Sequence, residues 1–211
     1  MADVALILGG SAHVFDEFNR AREMCRAYGQ SVENFCCNDM IAGYPDRVDN
    51  AVTLHPEKLP AWLAERERAG YPGLTKIWAH RPAQAARRIS MAQAAARVLP
   101  TSEPITNNTA DWGASVGGLG TKIAREQGFR KIILCGVPMT VEDGHFRRQQ
   151  RWNAAHGFRR GWTRHVRELT PFVRSMSGWT LEQFGEPTGE WLLSNPPDPR
   201  PMRPQPVQLK A

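Results

Sequence analysis

The chain has no apolar run near the roughly 20 residues that a membrane-spanning helix requires. It also has no Cys-x-x-Cys pair. Its four cysteines are Cys25, Cys36, the adjacent Cys37, and Cys135. That spacing argues against a structural zinc site and against a disulfide framework, and for buried thiols in a reducing compartment. The opening MADVALILGG carries Asp3 and no basic flank, so it reads as a first core strand rather than a secretory signal, and a cytoplasmic setting is expected. Two nucleotide fingerprints are missing: GxGxxG after the first strand, and the lysine-bearing phosphate loop. Tyrosine is scarce, with Tyr28, Tyr44 and Tyr71 alone. Acid is scarce in one stretch: between Arg147 and Arg174 only Glu168 opposes eight arginines.

What is present fits one globular domain. The 211 residues are 41% hydrophobic and 23% charged, ordinary values for a soluble fold with a real core. Apolar runs at 4–8, 32–37, 51–54, 74–78 and 132–135 read as strands. Helical patterns at 14–28, 59–69, 83–98 and 119–127 separate them. Strands alternating with helices at this spacing predict a Rossmann-like α/β domain, doubly wound, with a mostly parallel sheet flanked by helices. The domain is expected over 1–193, with a basic helical segment at 145–170. Six prolines in residues 194–211 predict an extended, disordered tail.

In such a sheet, ligands bind beyond the carboxyl ends of the strands. The first strand ends in Gly9-Gly10-Ser11, and the later ones end in Asn38-Asp39, in His55, in His80 and in Gly136. A glycine-rich turn, Gly113 to Gly118, precedes the helix at 119–127. Gly113, Ser115 and Gly117 there would let a ligand approach the backbone, and the helix start suits a phosphate. The loop after Gly136 holds Glu142, Asp143 and His145. His145 is the expected general base, with Asp143 or Glu142 orienting it or holding a metal. Arg147, Arg148, Arg159 or Arg174 would neutralise a departing phosphate. The basic stretch, with Arg147, Arg148, Arg151, Arg159 and Arg160 around Trp152, Phe158 and Trp162, suits nucleic acid or another polyanion.

Three segments resemble a family. VALILGGSAHVFDEF, then NFCCND with VTLHP behind it, then GASVGGLGTKIAREQGFRKIILCGVPM are similar to bacterial CMP-sialic acid sialyltransferases and the related pterin-pyrophosphokinase-like proteins of bacterial and phage genomes. The resemblance implies a nucleotide-binding fold and a CMP-type or other nucleotide-activated sugar donor, with transfer to a bacterial or phage acceptor. It implies that Gly9, Gly10 and Ser11 cradle the nucleotide, that Asn38 meets the base or ribose, and that His55 and Ser115 add contacts. The chain departs from the family late. Arg174 stands before Ser175 where the family places a histidine, and the phosphate-steadying tyrosines have no counterpart. Two alternatives follow. One is a metal-dependent pyrophosphokinase-like enzyme using Asp39, Glu142 and Asp143. The other is a nucleotide- or nucleic-acid-binding accessory protein without catalysis.

Overall fold

The computed structural model describes residues 2–79, 113–147 and 151–196. Strands β1 (Val4–Leu8), β2 (Val32–Cys37), β3 (Val48–Thr53), β4 (Leu74–Ala79), β5 (Lys131–Cys135) and β6 (Val173–Ser175) form one sheet in the order β4-β3-β2-β1-β5-β6, with every pair parallel. All five residues of β1 are buried, because helices cover both faces of a doubly wound sheet. Alternate residues serve opposite cores. Val4, Leu6 and Leu8 pack beneath α1 (Val14–Ala27), α2 (Met40–Gly43) and α3 (Leu59–Arg68). Ala5 and Ile7 pack beneath α4 (Ser115–Glu126), α5 (Ala155–Thr163), α6 (Val166–Leu169) and α7 (Gly178–Phe184). A last short helix, α8 (Gly189–Leu193), joins the first core through Trp191 and Leu192.

Local sequence accounts for most of these elements. In α1 the stripe Val14, Phe18, Ala21 and Cys25 falls on one face, and all four are buried. Gly29, at φ +65°, ends the helix as a left-handed stop. Pro60 sits in the first turn of α3, where its missing N–H costs nothing. All four cysteines are buried and unpaired. Burial pushes the Cys25 thiol up to about 11.

Three expectations change. The helix predicted at 119–127 begins four residues earlier, at Ser115. Its glycines serve packing rather than a turn: a Cβ on Gly117 would lie 2.8 Å from Val137, and one on Gly118 would lie 2.6 Å from the Ala114 side chain. Strand β3 starts at Val48 rather than residue 51, because Asp49 and Asn50, which look like loop residues, are held by β2 partners. The three-residue β6 is too short to register as a period. The predicted helix at 83–98, His80, and the tail from residue 197 lie outside the described residues.

The order of the strands locates the site. From β1 the chain steps toward one edge through β2, β3 and β4, then returns to the other side of β1 as β5. A crevice opens at such a reversal, outside the carboxyl ends of β1 and β5.

Candidate functional site

Two loops meet at that reversal. The Gly9 N–H donates to the Cys135 carbonyl at 2.8 Å, and the Ser11 N–H to the Gly136 carbonyl at 3.2 Å. A Cβ on Gly9 would lie 2.2 Å from the Gly136 oxygen, so only glycine permits this approach. Residues 144–146 then run antiparallel to 10–12, with the Ala12 N–H on the Gly144 carbonyl (2.9 Å) and the Phe146 N–H on the Gly10 carbonyl (3.0 Å). This zip carries the His145 ring over Gly10, where a Cβ would come within 2.9 Å of it. From α1, the buried Glu17 carboxylate accepts the Gly136 N–H at 2.6 Å and pins the end of β5.

A cavity of about 390 Å³ lies between these loops and the start of α4. It brings together most of the residues singled out from sequence. Gly9, Gly10 and Ser11 line it from β1, Asn38 and Asp39 from β2, and His55 from β3. Ser115 and Gly117 line it from α4, Gly136 from β5, and Asp143 and His145 from the following loop. Gly113 and Arg174 do not line it. The Gly113 carbonyl packs where a Cβ on Gly161 would sit. Arg174 donates to the Thr170 and Val173 carbonyls, at 2.7 and 2.8 Å, and lies over the Trp191 ring. Of the other arginines, Arg147 pairs with Glu65 at 3.0 Å. Arg159 donates to the Met139 carbonyl at 2.8 Å and covers Trp179. Arg160 is exposed on α5, and Arg148 lies outside the described residues.

Sequence reasoning missed Lys58 and Trp62 as lining residues, and did not assign Arg151 or Trp152 to the crevice. Lys58 and Trp62 are four residues apart at the start of α3, a spacing that could have flagged a shared face. That this face looks at β2's end needs the tertiary fold.

The backbone is strained here. Among the described residues, three non-glycines have positive φ: Asn38 (51°), Ser115 (71°) and Met139 (55°). All three line this cavity. Non-glycine residues pay for that conformation, and such strain clusters at functional sites. The Asn38 amide is oriented without ambiguity. Its Oδ1 accepts the Leu54 N–H (3.3 Å) and the Thr53 hydroxyl (3.0 Å), and that hydroxyl itself takes the His55 N–H at 2.7 Å. The Asn38 –NH2 group is left to donate. Ser115 is 5% exposed, and its hydroxyl has no partner among the described residues. No side chain caps α4, whose first N–H groups open toward the same space.

Opposite α4 sits a carboxylate–imidazole pair. Asp39 Oδ1 accepts the Trp62 indole N–H at 3.0 Å, and Oδ2 lies 3.5 Å from His145 Nε2. The Arg147 N–H donates to His145 Nδ1 at 3.2 Å. The neutral ring therefore carries its proton on Nε2, facing Asp39. The carboxylate set against this histidine is thus Asp39, while Asp143 takes the Thr140 hydroxyl. Lys58 and Arg151, both exposed, add positive charge at the rim. Among the described residues no group of three or more His, Cys, Asp or Glu side chains is placed to hold a metal.

Sheet order, flanking helices and crevice define a Rossmann-like, doubly wound α/β protein, a fold compatible with nucleotide binding. No family model matches the chain, and no curated protein or solved structure does so either. Of the resemblance read from the sequence motifs, the structure shows the generic α/β fold with its six-stranded parallel sheet alone. No described helix is long and apolar enough to cross a membrane.

Proposed function

We propose that the chain binds a nucleoside phosphate in the switch-point cavity and acts as a nucleotide-donor transferase of the glycosyltransferase kind, with a CMP-type sugar donor. One observation carries the reading: the three strained non-glycine residues all face this one cavity, at the ends of β2 and β5 and at the bare start of α4. The phosphate would sit at α4. There the helix N–H groups and the buried Ser115 hydroxyl offer donors with no described partner. Lys58 and Arg151 would offset the charge of the departing nucleoside phosphate. The Asn38 –NH2 would donate to an oxygen or ring nitrogen of the nucleoside.

The chemistry is a displacement at the donor carbon. The bond from that carbon to the phosphate oxygen breaks, and the nucleoside phosphate leaves with the electron pair. The acceptor hydroxyl oxygen bonds to the carbon, and its proton passes to Asp39. His145 holds that carboxylate in place through Nε2–H. Asp39 is preferred to His145 as the acceptor of the proton because both ring nitrogens already have partners.

Calorimetric titration with CMP, CDP, UMP and ATP, the last with and without magnesium, tests the binding. Micromolar binding of a cytidine nucleotide supports the proposal. ATP binding that requires the metal would replace it with the pyrophosphokinase reading. Donor turnover followed by NMR then separates a transferase from a non-catalytic binder. Asp39→Asn should lower turnover about 100-fold or more while leaving nucleotide affinity within a few-fold. Unchanged turnover would remove Asp39 from the mechanism.

A further inference from the structure

The strongest feature outside the cavity is the outer face of α5 and α6. Arg160, Arg164 and Arg167 are all exposed and are spaced by four and three residues. A two-residue turn, Arg164–His165, joins the two helices, and in it the His165 N–H donates to the Trp162 carbonyl at 2.8 Å. All three arginines are exposed on this helix–turn–helix segment, Arg160 on α5, Arg164 in the turn and Arg167 on α6. The opposite face is core: Ala155, Trp162 and Leu169 are 0%, 0% and 1% exposed. None of the three arginines has a carboxylate partner among the described residues. The one acid in the segment, Glu168, lies 3.7 Å from His165 and in the field of Arg125. Among the described residues the ridge is thus positive charge with no acid paired to it, and residues 151–154 connect it to the cavity rim at Arg151.

The chemistry of the ridge selects its occupant. Three outward arginines within eight residues suit successive phosphates along one nucleic-acid strand. Arginine forks suit phosphate oxygens better than lysine does. A membrane-surface helix would show large apolar side chains beside its cations. Here they are turned inward, and the exposed large hydrophobics among the described residues, Tyr28 and Leu193, belong to neither helix. At the cavity end, Trp152 stacks on Phe158 with ring centroids 5.5 Å apart and planes at 19°. A partly buried aromatic beside a basic track is how single-stranded nucleic acid is held, backbone on the cations and a base on the ring.

We propose that Arg160, Arg164 and Arg167 form a docking ridge for single-stranded nucleic acid and lead its backbone past Arg151 to the mouth of the cavity. The three ridge arginines are not among the residues assigned to nucleotide binding, so each reading can fail without the other. Within the transferase reading, the ridge would make a nucleic acid the acceptor.

The test is fluorescence anisotropy with a labelled oligothymidylate across a salt series. The unaltered protein should bind, with a log–log salt slope of about −2 for three phosphate contacts on a single strand. The triple variant Arg160→Glu, Arg164→Glu, Arg167→Glu should lose affinity about 100-fold or more. Its melting temperature and its calorimetric response to CMP should match the parent, which also shows that it folds. The triple glutamine variant should bind weakly with a slope near zero. No binding by the parent at low salt, a flat slope in the parent, or a glutamate variant that binds like the parent overturns the ridge. Binding of the parent to phosphatidylserine vesicles as tightly as to the oligonucleotide overturns it too. Absence of CMP binding by the parent bears on the cavity alone.

Discussion

Two buried polar regions lie on opposite sides of β3, and they are built on opposite rules. On the amino-terminal side, Arg66 is 3% exposed and spends its guanidinium on carbonyls. Nη1 donates to Ile41 (2.9 Å) and Tyr44 (2.7 Å), Nη2 to Asp46 (2.8 Å) and Pro72, and Nε to Pro72 (3.2 Å). Beside it, Asn34 and Asp49 exchange hydrogen bonds in both directions across β2 and β3. On the carboxyl side, Ser115 is as deeply buried yet its hydroxyl has no described partner, and among the described residues Asn38 uses only its oxygen. Satisfied polar groups in strain-free backbone are architecture. Unsatisfied donors that converge on one space, held in strained backbone, are a site waiting for acceptors. The contrast also sorts the charges: Arg174 and Arg66 belong to the first kind, Lys58 and Arg151 to the second.

The largest effect should come from breaking the satisfied side. Arg66→Ala strands four backbone carbonyls and should cost about 4 kcal/mol of unfolding free energy, measured by urea titration. CMP affinity per folded molecule should not change; a loss of affinity would mean the two regions are not separable.

An effect of comparable size comes from the thiols in the cores. Burial raises the Cys25 pKa from 9.0 to about 11 and raises those of Cys36, Cys37 and Cys135 as well. The neutral thiol is favoured in the fold, so this contribution is fully present below pH 9. Above it, the unfolded chain loses protons that the fold retains. Stability should fall between pH 9 and pH 11, by up to about 1.4 kcal/mol per pH unit for each thiol. Urea titrations under reductant at pH 8 and pH 10 check the sign. Equal or greater stability at pH 10 would show that burial does not govern these groups.

Ser115→Gly sharpens the comparison, because its two effects have opposite signs. Removing a side chain from φ 71° should stabilise the fold by about 1 kcal/mol. Removing the hydroxyl should weaken CMP binding about tenfold. A variant that is less stable and binds normally would make Ser115 an ordinary core residue. The smallest effect belongs to a surface pair: Arg147→Ala breaks the half-exposed pair with Glu65 and should cost about 0.5 kcal/mol.

The fold class was legible in the sequence because apolar strands and helical stripes in alternation permit few architectures. Much of the candidate site was legible for the same reason: strand ends in such a sheet share one edge, which placed Asn38, Asp39 and His55 near the glycine loops. What stayed hidden depends on contacts between distant segments. Gly117 and Gly118 look like a turn until Val137 and Ala114 are seen against them. The partner of His145 looks like its neighbour Asp143 until the antiparallel zip carries the ring to Asp39, at the end of β2. Trp62 enters only because α3 lies across that strand end and turns its indole N–H to the carboxylate. Arg174 looked like a cation for the departing phosphate, yet β6 lies at the sheet edge and the side chain donates to carbonyls there.

The central claim is that the cavity at the β1/β5 reversal is a nucleoside phosphate site. Calorimetric titration of CMP and CDP into the purified protein, run beside Ser115→Gly, tests it most directly. The account predicts saturable micromolar binding to the parent and about tenfold weaker binding to the variant. Absence of binding by any nucleoside phosphate, or equal affinity in parent and variant, would contradict it.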